Sequence, residues 1–337
     1  MRSRLTRVCR VGAHSVNSAI TANNYALVVG EISAGSGAGP RGANGRGRRS
    51  IATVLQLTSQ TSMSFGSSLA GIAIPIVGGV VVVAVRQLMT ALFLLPVTRP
   101  RVRGRTLGHF LPAVWLGVAL AVMNVSFYEA IGRIELGTVV TIEYLGPLAI
   151  ALLGARRLLD LLCAIAAGVG VVILAGGGVS ALDPLGVGLS VLAGVGWASY
   201  ILLTRLAGER FPGLEGLALA SVVSLLLTAP VALFVLDFSG LTWPIVGLLV
   251  AIGILCSAIP YSLDIIVLRR ITPRLYSIIT ALAPASATLM GWLVLGQVLS
   301  GWQLFAIGLV CTAAITAIAT QRNPRATELE ATAATTP

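Results

Sequence analysis

Long apolar runs separated by short polar breaks dominate the chain from residue 51 to residue 320. A helix rising 1.5 Å per residue needs about 20 apolar residues to cross a bilayer. Ten segments meet that length to within a few residues: 51–71, 77–97, 109–131, 137–154, 159–177, 185–206, 214–236, 243–267, 275–296 and 301–320. The first is diluted by Gln56, Thr58, Ser59, Gln60, Thr61, Ser62 and Ser64. A polar helix of this kind suits the wall of a solute cavity. The breaks hold Arg, Gly and Pro, and none is long enough for a further domain.

Composition agrees with the pattern. Of 337 residues, 56% are hydrophobic and only 10% are charged, whereas soluble domains carry about 25% charged residues. The expected class is an all-α integral membrane protein embedded in a lipid bilayer. The chain has a net charge of +11, but its distribution speaks against a nucleic-acid partner. Eight Arg lie within residues 1–50 against a single acid, Glu31, and the rest are strung between apolar segments. Residues 1–50 read as a disordered basic tail, with Gly35–Ser50 of low complexity, and 321–337 as a cytoplasmic C-terminal tail.

Sidedness follows from the arginines. All 23 basic residues are Arg. With ten spans and an inner N-terminus, Arg133 alone falls outside and Arg86 falls within a helix. Every other Arg lies inside, as positively charged loops should. Trp243 and Trp302 then begin helices at the outer interface, where amphipathic rings anchor.

A repeat is visible at a shift of 137 residues. It places Arg133-Ile134 on Arg270-Ile271, Ile142 on Ile279, Leu145 on Leu282, Pro147 on Pro284 and Gly154 on Gly291. Five spans are an odd number, so the two halves, 51–177 and 185–320, insert with opposite orientation. Such inverted repeats build many secondary transporters, with the site near the midplane.

Missing residues exclude chemistry. Without lysine there is no phosphate-loop lysine and no Schiff base. The two histidines, His14 and His109, lie outside or at the edge of the apolar runs, and the four cysteines form no CxxC. No enzymatic activity, no cofactor and no metal site is expected.

Ionisable groups inside a bilayer are costly and so are functional candidates. Glu143 lies four residues before Pro147, and a proline frees the carbonyl four residues back. Its carboxylate can take a substrate ammonium or a proton, or pair with Arg86. Arg86 can hold a carboxylate through two N–H groups. Asp264 has Arg269 and Arg270 nearby, and Glu129 has Arg133 at i+4, which points to a surface pair. Asn124, Tyr128, Trp197, Tyr200, Tyr261 and Ser262 supply amides, hydroxyls and rings for a small polar solute, or for ordinary packing between helices. Trp197 and Tyr200 are three residues apart and so share a helix face. Pro147 and Pro284 are expected helix kinks. Ala164/Gly168 and Ala166/Gly170 read as close helix contacts.

These residues occur as Gly66-Ser-Ser-Leu-Ala70, Val85-Arg86, Met123-Asn124 with Phe127-Tyr128, Glu143-Tyr-Leu-Gly-Pro-Leu-Ala149, Arg156-Arg157, Trp197-Ala-Ser-Tyr-Ile-Leu202, Ile259-Pro-Tyr-Ser-Leu263 and Leu295-Gly296. In that order they resemble the EamA-type branch of the drug/metabolite transporter superfamily, and within it the inner-membrane threonine/homoserine exporter group. The resemblance implies a ten-helix exporter of small metabolites, often amino acids, with both termini cytoplasmic and protons as counter-ion. An EamA-type exporter of a different metabolite or a drug is the alternative. Two departures keep it open. The group tends to carry Glu before the helix-9 proline, where Ala283 stands, and Leu-Gly-Glu after helix 9, where Gln297 ends the motif.

Overall fold

The computed structural model describes residues 44–320 apart from 101–105, 153–157, 177–182, 238–239, 261–262, 264–266, 268–275 and 277–278. Among the described residues the chain is helical, with no strand. A helix satisfies its own backbone N–H and C=O groups, which hydrocarbon cannot do. The helices are α1 (Asn44–Val77), α2 (Gly79–Thr98), α3 (Leu107–Ile131), α4 (Leu136–Glu143), α5 (Leu145–Leu152), α6 (Leu158–Gly176), α7 (Pro184–Gly208), α8 (Glu215–Val235), α9 (Trp243–Gly253), α10 (Ala283–Leu295) and α11 (Gly301–Thr320). A π turn, Ile254–Ala258, continues α9. Five described helices are long and apolar enough to cross a membrane: α2, α7, α8 and most of α3 and α11. The chain is a multi-pass membrane protein.

Three boundaries differ from the expected ones. α1 begins at Asn44, so part of the anticipated tail is helical. The fourth segment is two short helices, α4 and α5, separated at Tyr144. The ninth has a turn at Ala281–Leu282, after which α10 begins. Each break lies two to three residues before a proline, Pro147 or Pro284. The missing N–H and the ring of proline disfavour the regular turn before it.

The side chains of α1 explain its mixed composition. Gln56, Ser59, Ser67 and Ser68 are buried, while Ile51, Val54, Leu57, Phe65, Ile72 and Ile76 are exposed. Several of the polar side chains thus face the bundle, while Thr58 and Thr61 lie on the exposed side with the large apolar residues. Trp243 and Trp302 are exposed at the starts of their helices, 87% and 67%, as interface anchors require.

Helix pairing has a two-part pattern. α3 packs on α7 as α9 and its π turn pack on α1. α3 meets α8 as α9 meets α2, and α4–α5 meet α7 as α10 meets α1. α2 pairs with α8, α6 with α11 and α4 with α10. Of the small residues of α6, Gly170 makes the expected close approach, to Val310 and the Ala306 carbonyl of α11. Gly168 does not, having open space beside it.

Local caps fix several ends. Asp183 Oδ1 accepts from Leu185 N–H (3.1 Å), with Pro184 as the first residue of α7, a favoured N-terminal arrangement. Before α11, Ser300 Oγ accepts from Gln303 N–H (3.3 Å) and Gln303 Oε1 accepts from Ser300 N–H (2.8 Å). This reciprocal pair satisfies two backbone donors that would otherwise lack a helical partner.

Candidate functional site

The site is built around Arg86, the eighth residue of α2 and so about 10 Å along the helix from its start. The residue is buried. Its Nη1 donates to Asn124 Oδ1 of α3 (2.5 Å). Its Nη2 donates to the Cys256 carbonyl in the π turn (3.4 Å). The guanidinium lies over the Tyr128 ring, 5.8 Å from its centroid, a distance at which the ring face attracts a cation. Asn124 Nδ2 donates to the Leu120 carbonyl (2.7 Å), so the amide cannot turn without losing a bond. Arg86, Asn124 and Tyr128, singled out from the sequence, thus form one cluster.

Glu143 is the last residue of α4 and is buried. An acidic and a basic side chain thus lie buried in the bundle on two different helices. The helix break beside Glu143 is pressed directly against α7. A Cβ on Gly194 would stand 2.9 Å from the Glu143 carbonyl oxygen, and a Cβ on Gly146 would run into the Gly194 carbonyl oxygen. Only glycine at both positions permits that approach.

The aromatic pair of α7 divides. Trp197 stands edge-on to Tyr144 (5.8 Å between centroids, 83°) and joins the apolar cluster of Tyr144, Leu148 and Ala314. Tyr200 packs instead on the cluster of Leu94, Leu116 and Phe211. Their three-residue spacing does not bring them to one neighbour. Tyr261, Ser262 and Asp264 lie outside the described residues. Glu129 does not pair with Arg133. It lies against Gly79 at the start of α2, and Arg133 instead pairs with Asp183 (3.3 Å).

Several residues of the cluster have no obvious mark in the sequence. Thr90 Oγ1 donates to the Arg86 carbonyl (2.9 Å) and shares a hydrogen bond with Ser257 Oγ (2.8 Å). Tyr128 Oη donates to Cys256 Sγ (3.8 Å), and Cys256 Sγ to the Met63 carbonyl (3.7 Å). Ser62 Oγ donates to the Leu255 carbonyl (2.8 Å). Three consecutive residues, Leu255, Cys256 and Ser257, are thus each held by a side chain of another helix. The signal that points there is Pro260, which leaves backbone acceptors open. Gln56 is also buried in α1, and its Oε1 has no hydrogen-bond partner among the described residues.

Known proteins are similar to this chain over most of its length. The profile of the EamA-like transporter family matches residues 184–319. The threonine/homoserine exporter RhtA of Escherichia coli strain K12 is 33% identical over 272 residues, 80% of this chain and 92% of that one. RhtA of Salmonella typhimurium strain LT2 is 31% identical over 277 residues, 81% and 94% of the two chains. A crystal structure matches with a TM-score of 0.53 and 19% identity, over 79% of this chain and 98% of the other. At that identity the likeness is one of fold.

Proposed function

The chain belongs to the EamA-like transporter family, and we propose that it exports threonine, homoserine or similar small amino acids across the inner membrane in exchange for protons. The observation that carries this reading is the pair Arg86 and Glu143. An amino acid is a zwitterion. Arg86 offers N–H donors to its carboxylate, and Glu143 offers a carboxylate to its ammonium or to a counter-transported proton. Asn124, Tyr128, Trp197, Tyr200, Tyr261 and Asp264 complete the proposed set, with Pro147 and Pro284 as its kinks. The relatives named as threonine/homoserine exporters support the substrate class.

Two inverted five-helix repeats, 51–177 and 185–320, are part of the proposal. The shift of 137 residues places the break at Tyr144 on the turn at Ala281, and Pro147 on Pro284. The helix pairings exchange when the halves are exchanged. Both facts support a two-fold arrangement with the site between halves. The arginine distribution supports cytoplasmic termini.

Uptake into everted vesicles tests the coupling. A proton gradient, acidic inside, accelerates threonine and homoserine uptake if protons are the counter-ion. Uptake that ignores the gradient rejects the coupling. A second reading, export of another metabolite, is favoured by Ala283, where the exporter group tends to carry a carboxylate. Metabolite profiles of overexpressing and deletion strains separate the two.

A further inference from the structure

Gln56 of α1 is 1% exposed, and its Oε1 has no hydrogen-bond partner among the described residues. Native proteins leave few buried polar atoms unpaired. Thr138 Oγ1 and Ser224 Oγ share this condition, but a hydroxyl can turn and donate to a carbonyl of its own helix. An amide oxygen can only accept. Beyond the first turn of α1, the backbone N–H groups are committed to the carbonyls four residues back. The oxygen therefore needs a donor that its own helix does not supply.

Its place on α1 connects it to the Arg86 cluster. Gln56, Ser59, Met63 and Gly66 follow at intervals of three or four residues and so share one face. That face meets the π turn. A Cβ on Gly66 would stand 2.5 Å from Cys256 Sγ, and the Met63 carbonyl accepts from the same Sγ (3.7 Å). Cys256 in turn offers its own carbonyl to Arg86. Gln56 lies seven residues before Met63, about 10 Å along the helix. It lies toward the end of α1 that the arginine distribution assigns to the cytoplasm.

We propose that Gln56 is a further substrate-binding residue, on the cytoplasmic approach to Arg86. Its Oε1 accepts a hydrogen bond from the ammonium group of an incoming amino acid. An ammonium brings three N–H donors, and a hydrogen bond is electrostatically stronger inside a protein than in water. The amino acid meets Gln56 first and Arg86 second. This inference rests on the amino-acid reading of the Arg86 cluster.

Threonine uptake into everted vesicles, which present the cytoplasmic face outward, tests it beside the melting temperature of the purified full-length protein. Gln56→Leu keeps the approximate size of the side chain and removes the acceptor. It raises the KM for threonine about tenfold, the loss of one hydrogen bond to a charged group. The melting temperature without substrate does not fall, because no bond of Oε1 within the bundle is broken. Gln56→Met repeats both measurements with an unbranched side chain. A melting temperature lower by about 2 °C or more in both variants marks Gln56 as a structural partner and overturns the inference. Wild-type uptake with an unmoved KM in the variants overturns it alone. Absence of threonine uptake by the wild-type chain overturns the amino-acid reading, and this inference with it.

Discussion

Gln297 Oε1 accepts a hydrogen bond from the Leu136 N–H at 3.1 Å, so a side chain beyond the end of α10 caps the first turn of α4. The N–H groups of a first helical turn have no partner within the helix. This bond ties together two segments 161 residues apart in sequence. It also accounts for Gln where the exporter group tends to carry Glu, since both side chains present an acceptor oxygen. Gln297→Ala should destabilise the purified protein by about 1 kcal/mol. Gln297→Glu should keep its stability, because a carboxylate is favoured at a helix start. Thermal unfolding of both variants checks this, and equal losses would contradict the capping role.

Gly194 and Gly146 make a second long-range contact, backbone against backbone. Gly194→Ala places a methyl group 2.9 Å from the Glu143 carbonyl oxygen, and neither backbone can yield without moving the break. The expected cost is about 1–3 kcal/mol, together with loss of transport, because Glu143 shifts with its carbonyl. Gly168→Ala, at an open position, should change neither stability nor efflux and is the matched control.

Arg86 should not tolerate lysine. A single ammonium cannot bond Asn124 Oδ1 and the Cys256 carbonyl in the planar fork while lying over Tyr128. Arg86→Lys should therefore lose most threonine efflux at normal membrane levels. Arg86→Gln should also destabilise the protein by about 1–3 kcal/mol, because the buried Cys256 carbonyl loses its donor. Efflux and melting temperature measured side by side separate the two effects.

The Ser300–Gln303 pair offers a purely structural contrast. Ser300→Ala should cost about 1 kcal/mol of stability and leave the efflux rate unaltered, since α11 is capped far from the Arg86 cluster in sequence. A change in KM for threonine would show that the start of α11 acts on the site.

Much of the fold was legible because lipid imposes a narrow grammar. Long apolar runs had to be helices, because a helix satisfies its own backbone polar groups in lipid. The prolines at 147 and 284 disclosed where the segments 137–154 and 275–296 break. The cluster of Arg86, Asn124 and Tyr128 was anticipated by residue type, since polar groups in apolar helices need partners. Their grouping was not, because α2, α3 and α9 meet only in three dimensions. Trp197 and Tyr200 share a face by spacing, but which neighbour each ring meets depends on the several helices that α7 crosses. Periodicity misled at Arg133, whose partner Asp183 lies on a distant connection rather than one turn away at Glu129. Thr90, Cys256 and Ser257 passed unmarked, because small polar residues are common in packed membrane helices. Only the consequence of Pro260 for the carbonyls before it would have pointed to them.

The most direct test of the whole account is efflux of labelled threonine from cells expressing the wild-type chain or Glu143→Gln at equal membrane levels. Glutamine keeps the size of the side chain and removes its charge and its capacity to carry a proton. The account predicts faster efflux from wild-type cells than from cells lacking the chain, and no such gain with Glu143→Gln. Wild-type efflux from the Glu143→Gln cells would contradict it.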